Sequence, residues 1–521
     1  MATVDATAIT RIHDVEGSLT LTSIGGGAGG AANSEIVIQA AQSAGRKQSN
    51  AADHGFWLTV GSQNVSAAGV HVGVWVNHIH YGVLTQLRVR LGSAIGSATA
   101  GNWDGHNFPL AQYPALGGWV RHWIDVARTP DFQGDSGGLV KTALIGVAVV
   151  AWLPAVSGNA PNIIMDASDF TTTGLLLTGT AGVWQDFITA DEGTGGNKYG
   201  VVVTTAGVIF VLARLILGSA SSLAFADSGF VIVFPQQATV AANFMGLTVD
   251  LQHASTAITW ANGVVKSAGT VQGDLVVTGN AGSLAVESTT LSALRVVTLT
   301  AGATLTECLV AGCGLITAGG GALLDCSVID ATGTAALLWD TATDPNGKLD
   351  GTAFTSGGSG HAIQFGPNTP GDPTEISLSG VTFSGYGAAD TTDAAIYNNS
   401  GKHLIINIIG GGTTPTVLNG SGASTTIVSG QTAVTFTGMK DNTEVRVYDA
   451  GTGEEIAGIE DATDGSPGNR SFTWSDAASN VVDYVIHNVD YESIRVEGYV
   501  VPASDASIPI QQRLDRNYEN T

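Results

Sequence analysis

"VESTTLSALRVVTLTAGATLTECLVAGCGLITAGGGALLDCSVI", residues 286–329, contains one short phrase three times. In "VESTTL", "TECLV" and "LDCSVI" apolar residues bracket an acidic residue, and a small polar or sulfur side chain follows it. The phrase returns as "LDGTAF" and "LSGVTF". Setting Glu287, Glu307, Asp325, Asp350 and Ser379 in one column gives steps of 20, 18, 25 and 29 residues. A step near 20 residues, with glycine turns such as "TAGA" and "TAGGGA" between, describes a coil of a β-solenoid. Such a coil turns its apolar residues inward and buries its edges only by stacking on the next coil. The longer steps carry inserted loops, "DTATDPNGKLD" and "GPNTPGDPTE". Cys308 and Cys326, one step apart, are expected to stack in adjacent coils as free buried thiols. With Cys313 they make three cysteines, too few and too local for a disulfide framework.

On the N-terminal side the pattern changes to strict alternation. In "GVHVGVWVNHIHYGVLTQLRVRL" Trp75, Asn77, Ile79 and Tyr81 fall on one strand face and Val74, Val76, His78 and His80 on the other. Glycine clusters separate such runs, and seven of the ten tryptophans lie before residue 185. This block reads as an antiparallel sandwich. On the C-terminal side "TAVTFTG", "TEVRVYDA", "RSFTWSD" and "VVDYVIHN" predict a second, smaller sandwich. The expected organisation is all-β: a lectin-like or jelly-roll β-sandwich over 1–190, a parallel β-helix over 191–428, a small Ig-like sandwich over 429–503 and a polar tail over 504–521.

Charged residues make up only 12% of the 521, with 20 basic against 44 acidic side chains and a formal charge of -24. Nucleic acid and anionic membrane surfaces both need clustered cations, so this balance argues against either as a partner. "VVVTTAGVIFVLARLIL", Val201 to Leu217, is nearly long enough to span a bilayer. A mid-span Arg214 is costly there, and the stretch reads instead as buried strands joined by a turn. No basic stretch followed by an apolar run opens the sequence, so no secretory leader is predicted.

Four groups of residues invite a chemical reading. "GDSGG" around Ser136 carries the five letters that hold the nucleophile in trypsin-like proteases, and His54 and Asp104 supply the order His, Asp, Ser. Only 82 residues separate His54 from Ser136, too few for two packed barrels, so a glycine turn is expected and Ser136 is assigned no catalytic role. His78 and His80 lie two apart on a strand with no third ligand at a recognisable spacing. Asp340, Asp344, Asn346 and Asp350 offer oxygen ligands, but not at the EF-hand spacing, and an ordinary turn is expected. The acidic column from Glu287 is expected to point into solvent, because like charges one coil apart repel.

Three passages together resemble bacteriophage virion structural proteins, in which a jelly-roll or laminin-G-like sandwich precedes a right-handed parallel β-helix. "GGWVRHWIDVARTPD" is similar to the Trp/His strand of lectin-like sandwiches. "FADSGFVIVFPQQATVAANFMGLTVDL" resembles the segment that opens phage β-helices, and the ladder from Glu287 to Ser379 resembles their coils. The resemblance implies a symmetric multimer, a homotrimer above all, placed on a phage head or tail and made in the bacterial cytoplasm. It implies no cofactor and, as partners, other virion proteins (capsid, portal-proximal or tail proteins), while no metal and no enzymatic activity are expected because none of the residue groups above makes a complete ligand or catalytic set. Tailspikes usually carry an enzymatic groove and a C-terminal trimerisation or chaperone module, whereas this chain closes on a small sandwich and "PIQQRLDRNYENT". The expected function is therefore a non-enzymatic virion component, with a tailspike-like protein that binds or cleaves host surface glycan as the alternative.

Overall fold

The computed structural model describes residues 3–13, 21–24, 31–33, 43–47, 53–67, 70–78, 86–95, 101–109, 119–152, 162–192, 199–235, 245–269, 272–428, 430–463, 465–477, 480–502 and 505–514. Their regular structure is almost entirely β-strand, with one helix, and two compact units, 1–317 and 318–521, organise them. The three expected layers are present: an antiparallel sandwich, parallel β-helix coils and a small C-terminal sandwich.

The first unit opens with β1 (Thr3–His13), β2 (Leu21–Ile24), β3 (Ala31–Asn33), β4 (Ser43–Lys47), β5 (Asp53–Gln63) and β6 (His71–His78). It continues with β7 (Gln86–Ile95), β8 (Gly101–Pro109), β9 (Trp119–Asp125), β10 (Phe132–Gln133), β11 (Leu144–Trp152) and the 21-residue β12 (Asn162–Gly182). One sheet runs β10-β8-β7-β11-β5-β2, and the facing sheet gathers β9, β6, β4, β3 and β1 around β12.

β12 does not stop where the sandwich ends. β1 lies antiparallel along one of its edges from Ser168 to Thr178. On the opposite edge β6 pairs antiparallel over Ile163–Thr171, and β15 (Arg214–Leu217) then pairs parallel over Leu175–Leu177. Residues Gly179 and Gly182 turn the same strand into a second sheet, beside β16 (Leu223–Ser228). The first coil of the β-helix is therefore laid on a strand that the sandwich already holds, and the parallel strands find their backbone partners at once.

From there the coils repeat. β18 (Gly246–Asp250), β21 (Asp274–Thr278) and β24 (Val296–Thr300) follow β15 in register, so that Leu175, Leu215, Leu247, Leu275 and Val297 form one stacked column, none more than 1% exposed. Burying each such side chain contributes about 1.5–3 kcal/mol, and the column repeats that gain with every coil. The second sheet follows β16 with β19 (Ala257–Ala261), β22 (Ser283–Glu287) and β25 (Ala303–Thr306). The third begins with the hairpin β13 (Val202–Thr205) and β14 (Val208–Val211) and adds β17 (Val231–Phe234), β20 (Val264–Ser267), β23 (Thr290–Ser292) and β26 (Leu309–Ala311). The apolar stretch Val201–Leu217 is thus β13, a turn through Ala206 and Gly207, β14 and β15. No helix among the described residues is long and apolar enough to cross a membrane.

A short helix, α1 (Trp184–Glu192), follows β12. It lies across the limit expected at residue 190, and its apolar residues at i and i+3, Trp184 and Phe187, are buried. Trp184 packs on Phe225 at 5.0 Å, Phe230 at 5.4 Å and Trp260 at 5.5 Å between ring centroids, closing the interior of the first coils with aromatic surface. The chain then returns over the sandwich, where Arg121 Nη1 donates to the Tyr199 carbonyl at 3.0 Å and Trp123 Nε1 to that of Gly200 at 3.2 Å. Arg121 is fully buried, its guanidinium 5.4 Å from the Trp75 ring centroid and 4.6 Å from that of Trp123. β9, "WVRHWID", is thereby the latch between sandwich and coil.

The second unit contains further parallel coils and the small sandwich. Leu337, Ile363 and Ile396 form one inward column in register and are fully buried. In the sandwich, Gln431–Met439 lies between Arg470–Ala477 and Ala506–Pro509, and Glu455–Ile459, Glu444–Asp449, Val481–Asn488 and Tyr491–Val500 form the facing sheet. The segment expected as a tail from 504 is here a strand. "SIPI" spaces Ile508 and Ile510 two apart, which puts both against the core around Phe436, Trp474 and Tyr484, and the strand pairs parallel with Val434–Thr437. Residues 515–521 lie outside the described residues.

The latch requires Gly73. A Cβ there would lie 2.6 Å from both Arg121 Nε and the Trp123 ring. Gly73→Ala is expected to lower the unfolding free energy by about 1–3 kcal/mol in urea denaturation, as overpacked cores do. An unchanged midpoint would show that the latch is slack.

Candidate functional site

Residues 134–138, "GDSGG", form a tight loop against β8. Gly134 and Gly137 bridge each other, Gly134 N donates to the Trp103 carbonyl at 3.0 Å, and Ser136 N donates to that of Gly101 at 3.2 Å. Asp104 is buried and its Oδ1 accepts from Gln133 Nε2 at 2.8 Å and from Leu139 N at 3.1 Å, so its charge pins the loop. β5, which carries His54, is three strands from β8, roughly 14 Å at ordinary strand spacing. His54 also lies four residues along β5 from Leu58, the position level with Asp104 through Leu91 and Val147. His54, Asp104 and Ser136 are not assembled into a triad.

His106, two residues along β8 from Asp104, was not singled out by the sequence. It is 2% exposed, and its Nδ1 lies 3.3 Å from Arg128 Nη1. Arginine only donates, so this nitrogen accepts and the ring is neutral. Burial first, and Arg128 second, push its pKa down to about 4. Of the His78 and His80 pair, His80 lies outside the described residues, and of His78, at the end of β6, only its pairing with Ile163 of β12 is described.

The acidic column is one residue out of register. Glu287 stands beside Thr306, and it is Ser288 that faces Glu307, with Ser288 Oγ donating to Glu307 Oε2 at 3.2 Å. Likewise Asp325 is level with Gly351, whereas Asp350 is level with Ser379. What recurs is a backbone corner. Asn262, Ser288 and Glu307 in the first unit, and Asp325, Gly351 and Gly380 in the second, all have φ between 46° and 69°. Glycine and short polar residues tolerate that left-handed geometry best, which accounts for most of the residue choice. The next residue turns inward: Thr289, Cys308, Cys326 and Thr352 are buried. Each of these donates to a backbone carbonyl: Thr289 Oγ1 to Glu287 at 2.9 Å, Cys308 Sγ to Val286 at 3.4 Å, Cys326 Sγ to Leu324 at 3.4 Å and Thr352 Oγ1 to Leu323 at 2.9 Å. Glu287, Glu307 and Asp325 are exposed, as expected, Asp350 is half-buried, and the three cysteines are buried thiols outside any disulfide. Burial pushes the Cys313 thiol up to about 11, so it is a poor nucleophile.

The oxygens of residues 340–350 are likewise spent on loop geometry. Asp344 Oδ1 accepts from Asn346 N at 3.0 Å, Asn346 Oδ1 accepts from Ser377 N at 2.6 Å, and Asp340 Oδ1 accepts from Asn368 N at 2.9 Å. No cluster of three or more His, Cys, Asp or Glu residues poised for a metal occurs among the described residues.

Two concave sites flank the junction of β12 and α1: one of about 620 Å³ is lined by Gly182, Asp186, Phe225 and Thr259, and the other lies between α1 and the β13–β14 hairpin. Val183, Trp184, Gln185 and Ile188 face Thr204, Gly207 and Ile209 of the β13–β14 hairpin and Asp227, Ser228 and Phe230 at the corner after β16, around a cleft of about 610 Å³. Asp227 holds it open: its Oδ2 accepts from Trp184 N at 2.9 Å, capping the helix, and its Oδ1 accepts from Ser228 N at 2.8 Å. The sequence signal for this site was the spacing of Trp184, Phe187 and Ile188, a single helical turn in a chain otherwise lacking that period.

No protein-family model matches the chain, and no curated protein does. Among solved structures it is similar to a family 11 carbohydrate-binding module from Clostridium thermocellum, in complex with a β-1,3-1,4-mixed-linked tetrasaccharide. The identity is 13%, the match covers 32% of this chain and 97% of the module, and the TM-score is 0.23.

The loop geometry separates its glycines from its serine. A Cβ on Gly134 would lie 2.1 Å from the Gly101 carbonyl oxygen, and Gly137 has a φ of 115°. Gly134→Ala and Gly137→Val are each expected to cost about 1–3 kcal/mol in chemical denaturation, and Ser136→Ala, on an exposed side chain, less than about 0.5. A Ser136→Ala loss as large as the glycine losses would contradict this.

Proposed function

We propose that this chain is a non-enzymatic structural protein of a bacteriophage virion, a decoration or fibre-like component of the head or tail. One observation carries the reading: the groups that suggested chemistry are engaged in holding backbone turns. Asp104 pins a loop, Thr289 and Cys308 brace coil corners, and Asp340, Asp344 and Asn346 close an insertion. A chain built this way is suited to keeping its shape. The parallel coils add stiffness, since each strand is bonded to the coils on both sides of it. The expected assembly is a homotrimer whose end modules dock to capsid, portal-proximal or tail proteins, with no cofactor.

A tailspike-like protein that binds host surface polysaccharide is the second reading, and the cleft beside α1 favours it. Particles of a phage carrying this gene distinguish the principal reading from its absence. Reconstruction and mass spectrometry are expected to find the chain as a stoichiometric, symmetric layer, and purified particles without the chain would refute the assignment.

A further inference from the structure

We infer that His106 and Arg128 form an acid-released clasp that holds residues 126–133 against β8. These residues are the turn from β9 and the short strand β10 that follows it. A chain of three hydrogen bonds ties the turn down. Arg128 Nη1 donates to His106 Nδ1 at 3.3 Å, Arg128 Nη2 donates to Asp131 Oδ1 at 2.9 Å, and Asp131 Oδ2 accepts from Asn107 N at 2.7 Å. The imidazole is the acceptor in this chain that a proton removes, because a protonated ring only donates.

The groups around the ring decide what a proton does. Asp104 on β8, Asp125 at the end of β9 and Asp131 in the turn all favour a charged imidazole. Each is already engaged: Asp104 with Gln133 and Leu139, Asp125 with Ala127 N at 2.9 Å, and Asp131 with Arg128. His122 of β9 meets Phe108, two residues along β8, edge-on at 4.6 Å. On β7, Val89 is level with His106, so Arg88 and Arg90 point to the other face of the sheet, over Phe132 and Trp103. Against these carboxylates stand burial and the guanidinium. A charged ring in place would have almost no water and a second cation 3.3 Å away, so the proton is taken up with the turn lifted off β8. The closed form holds its proton only near pH 4, below the ordinary value of 6.5. The clasp therefore contributes its full stability above about pH 6.5 and loses it as the pH falls toward 4.

Hydrogen exchange on the full-length protein, read by mass spectrometry and corrected for the intrinsic rate at each pH, tests the clasp at about pH 7.5 and about pH 5. Peptides over 126–133 are expected to lose protection about tenfold or more at the lower pH, while those over β5 and β11 keep theirs. The difference in proton uptake between open and closed forms sets an upper limit of about thirtyfold over that interval. His106→Gln offers Arg128 an amide oxygen that does not titrate, and it is expected to keep the segment protected at both pH values. No loss in the wild type, or an equal loss in His106→Gln, would overturn the clasp. Should His106→Gln fail to fold, Arg128→Gln tests the same contact from the other side. It is expected to lower protection over 126–133 about tenfold already at about pH 7.5, and unchanged protection there would overturn the clasp.

Discussion

A parallel β-helix has an open edge at its first coil, a row of backbone N–H and C=O groups with nothing beneath them. In this protein β12 supplies what is missing. The strand is held antiparallel by β1 and β6, and it offers Leu175–Leu177 to β15 as though it were a preceding coil. The leucine column, the aromatic closure by Trp184 and the Arg121 latch all depend on that one hydrogen-bonded edge. Were it lost, the first coil would expose both its backbone and its apolar interior.

Away from that edge the coils are economical. Each corner needs one residue that accepts a left-handed backbone, and at four of the six the next residue is a small inward side chain with a donor. Serine, glutamate, aspartate and glycine meet the first need, and threonine and cysteine the second. This explains how a chain with few charges comes to place acids at or beside its corners.

Much of the fold was legible in the sequence because it is periodic. Alternation marked the two sandwiches, and the recurring phrase from Glu287 marked the coils. The register was misread by one residue at Glu287 because the acids were aligned by charge, whereas the corner is defined by φ and by the buried residue after it. "ASIP" was missed as a strand because four residues carry little alternation, and its pairing with Val434–Thr437 spans about seventy residues of chain. β12 could not be seen as shared, since its two pairings differ in direction and partner, and neither leaves a mark on its own residues. The cleft was hidden for a related reason: its walls come from a helix, a hairpin and a corner that only the coil brings together.

The account makes the sandwich and the first coils a single cooperative body. Hydrogen exchange measured by mass spectrometry across a urea series tests this through the peptides covering β6, β12, β15 and β18. The account predicts that all four lose protection at one common denaturant concentration. Exchange in β6 at concentrations where β15 and β18 remain protected would contradict it.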